Sequence, residues 1–186
     1  MEYRQTEFKD LIICKPRVLE DERGYFFESF NAALFTSKTG LKPDFVQDNQ
    51  SMSFYGVIRG LHLQGGSFAQ AKLVRCIEGS ILDVVVDLRK DQPTFGKHFS
   101  IELSAENMLQ LYIPTGFAHG FSVLSEQAIF SYKCNNYYHK DSELGVAFDD
   151  PAFDIDWKIP KGEQTLSPKD KNNLNFEEAV NQLYKL

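Results

Sequence analysis

The sequence predicts an all-β fold, a β-sandwich or barrel with a few short peripheral helices. Short apolar runs alternate with turn residues along most of the chain, a pattern typical of sandwiches and barrels. Aromatic residues make up 13% of the chain, with 16 Phe and 8 Tyr, and flat side chains suit the pleated surface of a sheet. Helical periodicity is limited to two short segments.

The length of the chain predicts one domain. A chain of 186 residues is long enough to bury a single hydrophobic core and too short for two domains of ordinary size. No linker rich in Gly or Ser divides it. We therefore expect a single domain over residues 1–186, with a peripheral helix at about residues 176–184.

Ten strands are predicted, with glycines at turns between them. Glu78-Gly79 and Thr115-Gly116 supply turns in which glycine tolerates a positive φ. The predicted strands are residues 11–18, 25–30, 45–54, 57–63, 72–77, 81–88, 98–103, 109–113, 121–124 and 128–134.

Two helices and one long loop complete the predicted elements. Asn31 is placed to cap a short helix that stops near Gly40, and residues 176–183 carry apolar side chains at helical spacing. Residues 157–175 are mostly polar and show no periodicity. Loops of this length are uncommon in compact domains unless they are functional.

The net charge of the chain limits the classes of molecule that it is expected to bind. A net charge of −6 argues against a nucleic-acid or anionic membrane surface, because such partners require clustered Lys and Arg. An anionic small molecule is still compatible, since cations inside a cleft act over short distances and distant charges are screened within about 8 Å.

The cysteines and the N-terminal residues predict the compartment. Three cysteines, Cys14, Cys76 and Cys134, are widely spaced and odd in number, which argues against a disulfide framework. The first ten residues do not resemble a signal peptide. The most apolar stretch, residues 81–88, is interrupted by two aspartates and is too short to span a bilayer. We expect a cytoplasmic protein.

Two histidines each follow a glycine-punctuated, strand-like segment. His62 closes the run at residues 56–62, and His119 lies within residues 113–121. Arg59 and Lys72 are close to His62 in sequence. A barrel interior that holds histidine and cations suits an anion, although a buried structural histidine and an exposed strand lysine are the ordinary alternatives.

Motifs along most of the chain carry a family resemblance. They are DERGYFFESF at 21–30, QDN at 47–49, RGLHLQ at 59–64, AKLVRC at 71–76, IPTGFAHGF at 113–121, Tyr132, NYY at 136–138, ELG at 143–145, DDP at 149–151 and LSPKD at 166–170. In this order they resemble the dTDP-4-dehydrorhamnose 3,5-epimerases, over about residues 8–172. The resemblance implies a cupin-type jelly roll.

The resemblance also implies a reaction. Members of the family invert C3 and C5 of dTDP-4-dehydro-6-deoxyglucose, a dTDP-4-keto-6-deoxyhexose, to give dTDP-4-dehydrorhamnose without a cofactor. Both carbons flank the C4 ketone, so each inversion removes a proton next to a carbonyl and returns it on the other face. A base, an enolate stabiliser and an acid are required.

Four residues match the family's catalytic positions. His62 is the implied base, because a neutral imidazole titrates near working pH, and Asp170 is its implied partner. Lys72 is the implied cation near the C4 oxygen, where charge develops. Tyr132 is the implied acid.

His119 matches a second family histidine that contacts the substrate. The alternative is a metal ligand, because P-x-G-x-x-H is also the second half of the cupin metal signature. The first half is incomplete, since His62 is followed by Leu63 and Gln64 rather than by a second histidine. We therefore expect no metal.

The remaining implied contacts bind the nucleotide and sugar. Arginine suits a diphosphate because its planar fork donates paired hydrogen bonds, and lysine adds a compact charge. The residues are Arg23, Phe26, Glu28, Gln47, Asn49, Arg59, Tyr138, Glu143 and Lys169.

The resemblance further implies a homodimer with strand exchange. The segment Arg23–Glu28 is the implied crossing strand, and such an exchange would pair an otherwise open sheet edge. Four positions depart from the family pattern: His98 stands where tryptophan is expected, and Leu63 and Gly65-Gly66 replace aromatic and polar residues. These departures lie outside the implied proton path, and they bear on the shape of the pocket mouth and on whether both carbons are inverted.

Two alternative functions stay open at this point. One is an enzyme that inverts a single carbon, C3 or C5, or a 3,4-ketoisomerase on the same class of substrate. The other is a jelly roll that binds nucleotide sugars without catalysis.

Overall fold

Thirteen strands and two short helices make up the fold, which a computed structural model describes for all 186 residues. The strands are β1 (Glu2–Gln5), β2 (Ile12–Lys15), β3 (Leu19–Asp21), β4 (Gly24–Phe26), β5 (Gln47–Phe54), β6 (Ile58–Gln64), β7 (Lys72–Glu78), β8 (Ser80–Asp87), β9 (His98–Ser104), β10 (Gln110–Ile113), β11 (Phe117–Val123), β12 (Gln127–Cys134) and β13 (Glu143–Gly145). The helices are α1 (Ala32–Thr39) and α2 (Phe176–Leu183).

Two antiparallel sheets pack face to face. The six-stranded sheet has the order β1-β2-β10-β7-β12-β5, and the five-stranded sheet has the order β13-β6-β11-β8-β9. Strands β3 and β4 form a separate hairpin. This double-sheet arrangement confirms the all-β, jelly-roll prediction. None of the helices is long and apolar enough to cross a membrane.

All ten predicted strands are present, with shifted ends. Strand β11 begins at Phe117, four residues before the predicted start, because Ala118, His119 and Gly120 interrupt the apolar pattern although every residue of the strand is buried. The segment predicted at 25–30 is only the short β4. The three strands that were not predicted, β1, β3 and β13, have only three or four residues.

The turns and helices follow their predicted signals. Gly79 and Gly116 have φ of 73° and 87°. The side chain of Asn31 accepts a hydrogen bond from the Leu34 N–H at the start of α1, and Gly40 ends that helix with φ of 76°. Helix α2 starts with a capping box at Asn175.

The hydrophobic core has two main layers, one on each face of the five-stranded sheet. Leu111, Val74 and Val85 belong to the layer between the two sheets. Leu61 and Trp157 belong to the outer layer, which α2 and the chain after β13 cover. The five-stranded sheet is therefore buried on both faces, which explains its nearly continuous apolar strands.

The fold leaves no room for a side chain at position 79, and substitution of Gly79 therefore tests the fold. A Cβ atom there would lie 2.1 Å from the Gln127 carbonyl oxygen, whereas nothing lies within 4 Å of a Cβ at Gly162. We expect Gly79→Ala to lower the free energy of unfolding by more than about 1 kcal/mol, because a clash adds to the positive φ. Gly162→Ala should leave it unchanged or raise it by about 0.4–1 kcal/mol. Urea denaturation measures both, and equal stability of the two variants would contradict this.

Candidate active site

A cavity of about 620 Å³ lies between the two sheets. Its walls come from β5, β7 and β12 on one side, from β6 and β11 on the other, and from residues 165–170 of the long loop. The structure brings eight predicted site residues to this cavity: Asn49, Arg59, His62, Lys72, His119, Tyr132, Lys169 and Asp170.

His62 and Asp170 form a hydrogen-bonded pair across the cavity wall. The distance from His62 Nε2 to Asp170 Oδ1 is 2.6 Å, with His62 28% exposed and Asp170 5% exposed. The Ser167 hydroxyl donates to Asp170 Oδ2 at 2.9 Å. Burial alone would raise the pKa of Asp170, but the hydrogen bond and charge of His62 outweigh it, so the pKa is lowered. Asp170 is therefore a carboxylate that occupies Nε2 of His62, and Nδ1 is the other ring nitrogen.

His119 lies directly opposite His62 and has its own carboxylate. Strands β6 and β11 pair so that the two histidines are register partners. His119 Nε2 lies 2.9 Å from Asp83 Oδ2, and both side chains are buried. Burial lowers the pKa of His119, although the charge of Asp83 opposes this shift. No group of three or more His, Cys, Asp or Glu side chains is placed to hold a metal ion.

Two glycines allow the strands that carry the histidines to meet. The pairing of β6 and β11 shifts register between His119 and Phe121. A Cβ at Gly60 would lie 2.6 Å from the Gly120 Cα, and one at Gly120 would lie 2.6 Å from the Arg59 carbonyl oxygen. Any larger residue at either position would therefore separate the two strands.

Lys72 and Tyr132 lie on the facing sheet. The Lys72 Nζ atom is 5.8 Å from the centre of the Tyr132 ring. Burial raises the pKa of Tyr132, so its hydroxyl stays protonated at neutral pH. Burial lowers the pKa of Lys72, and the nearby acidic groups Cys134 and Asp83 oppose that shift.

Four predicted residues form a polar rim on the cavity. Lys169 Nζ lies 2.5 Å from Glu143 Oε2, and the Tyr138 hydroxyl donates to the same oxygen at 2.9 Å. The Tyr138 N–H donates to Gln47 Oε1 at 3.0 Å. Burial would raise the pKa of Glu143, but the hydrogen bonds from Lys169 and Tyr138 prevail, so the pKa is lowered. Glu143 is a carboxylate already neutralised by its neighbours.

The structure does not bring Arg23, Phe26 and Glu28 to the cavity of their own chain. The Arg23 side chain is 84% exposed and pairs with Asp21, and Phe26 is 69% exposed. Glu28 accepts a hydrogen bond from Asn31. The β3–β4 hairpin forms a separate two-stranded sheet, and none of these three residues lines the cavity.

The positions that depart from the family pattern lie away from the cavity. Leu63 is buried in the outer core layer, and His98 lies on β9. Gly65 packs against Leu183 and Leu186 near the end of the chain. None of these residues lines the cavity.

Sequence reasoning missed Asp83 and Ser167 as supporting residues. Asp83 carried a usable signal, because an aspartate in the middle of an apolar strand must find a partner when it is buried. It is fully buried, and its Oδ1 atom has no hydrogen-bond partner. Ser167 carried no comparable signal, since its contact with Asp170 depends on the path of an irregular loop.

Comparison with known proteins agrees with the geometry. A family model described as dTDP-4-dehydrorhamnose 3,5-epimerase matches residues 5–178. A curated protein of that name from Shigella flexneri is 51% identical over 175 residues, which cover 94% of this chain and 96% of the relative.

Solved structures are similar over almost the whole chain. The dTDP-4-dehydrorhamnose 3,5-epimerase of Elizabethkingia anophelis is 57% identical with a TM-score of 0.93, covering 96% of this chain and 97% of that one. The dTDP-6-deoxy-D-glucose-3,5-epimerase of Legionella pneumophila, solved in complex with dTDP-4-keto-L-rhamnose, is 43% identical with a TM-score of 0.93, covering 98% and 96%. This chain therefore belongs to the dTDP-4-dehydrorhamnose 3,5-epimerase family.

Proposed function

We propose that the protein inverts C3 and C5 of dTDP-4-dehydro-6-deoxyglucose to give dTDP-4-dehydrorhamnose. The observation that carries this proposal is the His62–Asp170 pair at 2.6 Å, in one cavity with Lys72 and Tyr132. These side chains supply the base, the cation and the acid that an inversion next to a ketone requires.

His62 is the proposed base. The Asp170 carboxylate accepts the Nε2 hydrogen, orients the ring and stabilises the imidazolium as it forms. Nδ1 then takes the proton from the carbon next to the ketone. General base catalysis of this kind contributes about 10²–10⁴-fold to the rate.

Tyr132 is the proposed acid, on the other side of the sugar. His62 belongs to the five-stranded sheet and Tyr132 to the six-stranded sheet, so a ring held between the sheets meets the base on one face and the phenol on the other. The C3 and C5 hydrogens of a gluco-configured ring lie on the same face, so one base and one acid serve both carbons.

Lys72 is the proposed stabiliser of the enolate. It lies beside Tyr132, where its ammonium group would face the C4 oxygen as negative charge develops. A preorganised donor of this kind contributes on the order of 3 kcal/mol in the transition state. His119, oriented by Asp83, contributes a second polar contact to the sugar.

Polar residues at and near the rim are proposed to bind the nucleotide. Arg59 and Lys169 line the cavity and suit the diphosphate. The exposed ring of Tyr138 suits stacking on the flat thymine base. Gln47 and Asn49, joined by a hydrogen bond of 3.0 Å, offer amides to the base or the sugar.

We further propose a homodimer in which the β3–β4 hairpin crosses to the partner. Tyr25 and Phe26 are 62% and 69% exposed, which is unusual for large apolar side chains on a lone hairpin. Strand β5 is the edge of the six-stranded sheet, exposes Phe54 and borders the cavity. A partner hairpin added at this edge would bring Arg23 and Glu28 to the site.

A cytoplasmic location is proposed from the cysteines. Cys14, Cys76 and Cys134 are all free and buried. Burial raises the pKa of Cys14 to about 12 and that of Cys76 to about 11, so these thiols are unreactive. The chain therefore relies on no disulfide, as is usual in a reducing compartment.

Solvent exchange tests the reaction directly. In D₂O with dTDP-4-dehydro-6-deoxyglucose, we expect deuterium at both C3 and C5, observed by NMR. His62→Ala should abolish exchange while calorimetry still detects dTDP binding, because the base is lost and the nucleotide contacts are kept. Deuterium at a single carbon would reduce the proposal to a one-carbon epimerase. If the unaltered protein shows no exchange, the remaining interpretation is a protein that binds nucleotide sugars without catalysis.

Tyr132→Phe separates proton removal from inversion. We expect inversion to fall by about 10²–10⁴-fold, because the phenol no longer supplies a proton on the far face. His62 still removes the substrate proton and returns a deuteron on the same face, so deuterium incorporation with retained configuration should fall much less. Equal loss of exchange and inversion, measured by NMR, would show that Tyr132 is not the acid.

Mixed dimers test the strand exchange. Arg23→Ala and His62→Ala should each be impaired alone, but a heterodimer would contain one site with both native residues. Co-refolding the two variants should then restore roughly a quarter of the wild-type activity, since half of the dimers are mixed. Recovery no greater than the sum of the separate variants would place Arg23 in the site of its own chain.

A further inference from the structure

Tyr138 is an exposed aromatic residue whose backbone is firmly held. Its side chain is 54% exposed, and it lies in the irregular segment between β12 and β13. Exposed rings in such segments are usually mobile. Here the Tyr138 N–H donates to the Gln47 side chain, and the peptide groups on either side of it are also bound.

The flanking peptide groups are both bound by Gln64. The Gln64 amide Nε2 donates to the Tyr137 carbonyl at 3.1 Å and to the Phe68 carbonyl at 2.7 Å. Its Oε1 atom accepts from the His139 N–H at 2.7 Å. One side chain therefore holds the carbonyl before Tyr138 and the N–H after it.

Gln64 is buried, which makes these hydrogen bonds costly to lose. The residue is 5% exposed, and its amide nitrogen and oxygen both have partners. Removing the amide would leave two carbonyls and one N–H without their partner, and unpaired buried polar groups are strongly disfavoured. The segment would then have to move to find water.

Gln64 also lies two residues after His62 on β6. Alternate residues of a strand point to the same face and are about 6.6 Å apart. Strand β6 thus carries the proposed base, His62, and two residues later the side chain of Gln64, which holds Tyr138. The pairing of β6 with β13, which places Gln64 opposite Glu143, ties the rim to the same strand.

We infer that Gln64 is a positioning residue that preorganises Tyr138 as a rigid stacking surface for the nucleotide base. This inference rests on the proposed function, in which Tyr138 contacts the base. The conformational freedom of the segment is lost when the protein folds rather than when the ligand binds, so the ligand keeps more of the stacking energy. Gln64 itself does not line the cavity and touches no reacting atom.

Gln70 provides a matched control on the same segment. It is a glutamine whose Nε2 atom donates to the Asn136 carbonyl at 2.8 Å, two residues before Tyr138. It binds neither of the peptide groups that flank Tyr138. Gln70→Met therefore removes one hydrogen bond from the segment and leaves the support of Tyr138 in place.

The test combines dTDP binding by calorimetry with steady-state kinetics. Gln64→Met should raise the dTDP Kd and the KM by about tenfold, because the ring must be ordered on binding, while kcat changes by less than about twofold. Gln70→Met should change the dTDP Kd and the KM by less than about twofold. If Gln64→Met does not fold, Gln64→Glu keeps the acceptor for His139 and replaces the donor with an oxygen, and the same increase is expected.

A double-mutant cycle with Tyr138→Ala decides between positioning and general damage. Without the ring, Gln64→Met should raise the Kd by less than about twofold, because there is no stacking surface left to position. The inference is overturned if Gln64→Met raises the Kd equally with and without the Tyr138 ring, or if it leaves the Kd unchanged. It is also overturned if Gln70→Met raises the Kd as much as Gln64→Met does, or if kcat falls by as much as KM rises. Because dTDP binding needs no turnover, absence of exchange in the wild type would count against the proposed reaction alone.

Discussion

The hydrogen bond between His62 and Asp170 is the interaction on which the site depends. It joins residues 108 positions apart and fixes the long loop over the open side of the sandwich. Because the pKa of Asp170 is lower in the folded chain than its ordinary value, the pair stabilises the fold above the ordinary carboxyl pKa. That stability is lost as the pH falls through the lowered pKa. Below that pH, the loop loses its charged anchor and the histidine loses its orientation.

The sandwich divides the chemistry between its two sheets. The five-stranded sheet carries both histidines on paired strands, and the six-stranded sheet carries Lys72 and Tyr132. Two of the groups have an environment that favours the proposed protonation state: burial keeps Tyr132 protonated, and hydrogen bonds and nearby charge keep Asp170 ionised. Neighbouring groups with pKa values moved in opposite directions are typical of acid–base sites.

The sequence predicted the strands and the grouping of His62, Lys72, Tyr132 and Asp170 around one cavity, but it did not predict the supporting contacts. Apolar runs and turn glycines are local signals, so the strands could be located, and β13 was missed because a strand of three residues has no readable alternation. His62 and Asp170 were paired through family motifs, since no local pattern reveals a contact across the whole chain. Ser167 and Gln64 act through hydrogen bonds to atoms that only the folded loops bring near. Arg23 illustrates a further limit, because the motif that contains it is local, whereas its distance from the cavity depends on where the β3–β4 hairpin lies in the fold.

The pair formed by Lys169 and Glu143 has a consequence for ligand capture. In the proposed nucleotide site, an incoming diphosphate would exchange one ionic contact of Lys169 for another, because the ammonium already lies 2.5 Å from the Glu143 carboxylate. With a net charge of −6, the chain also has no long-range attraction for a polyanion. Overall repulsion would therefore make encounter slower than electrostatically steered association, and dissolved salt would reduce that repulsion by screening it. Once bound, the ligand would be held by short-range contacts, and these depend on its shape as well as on its charge.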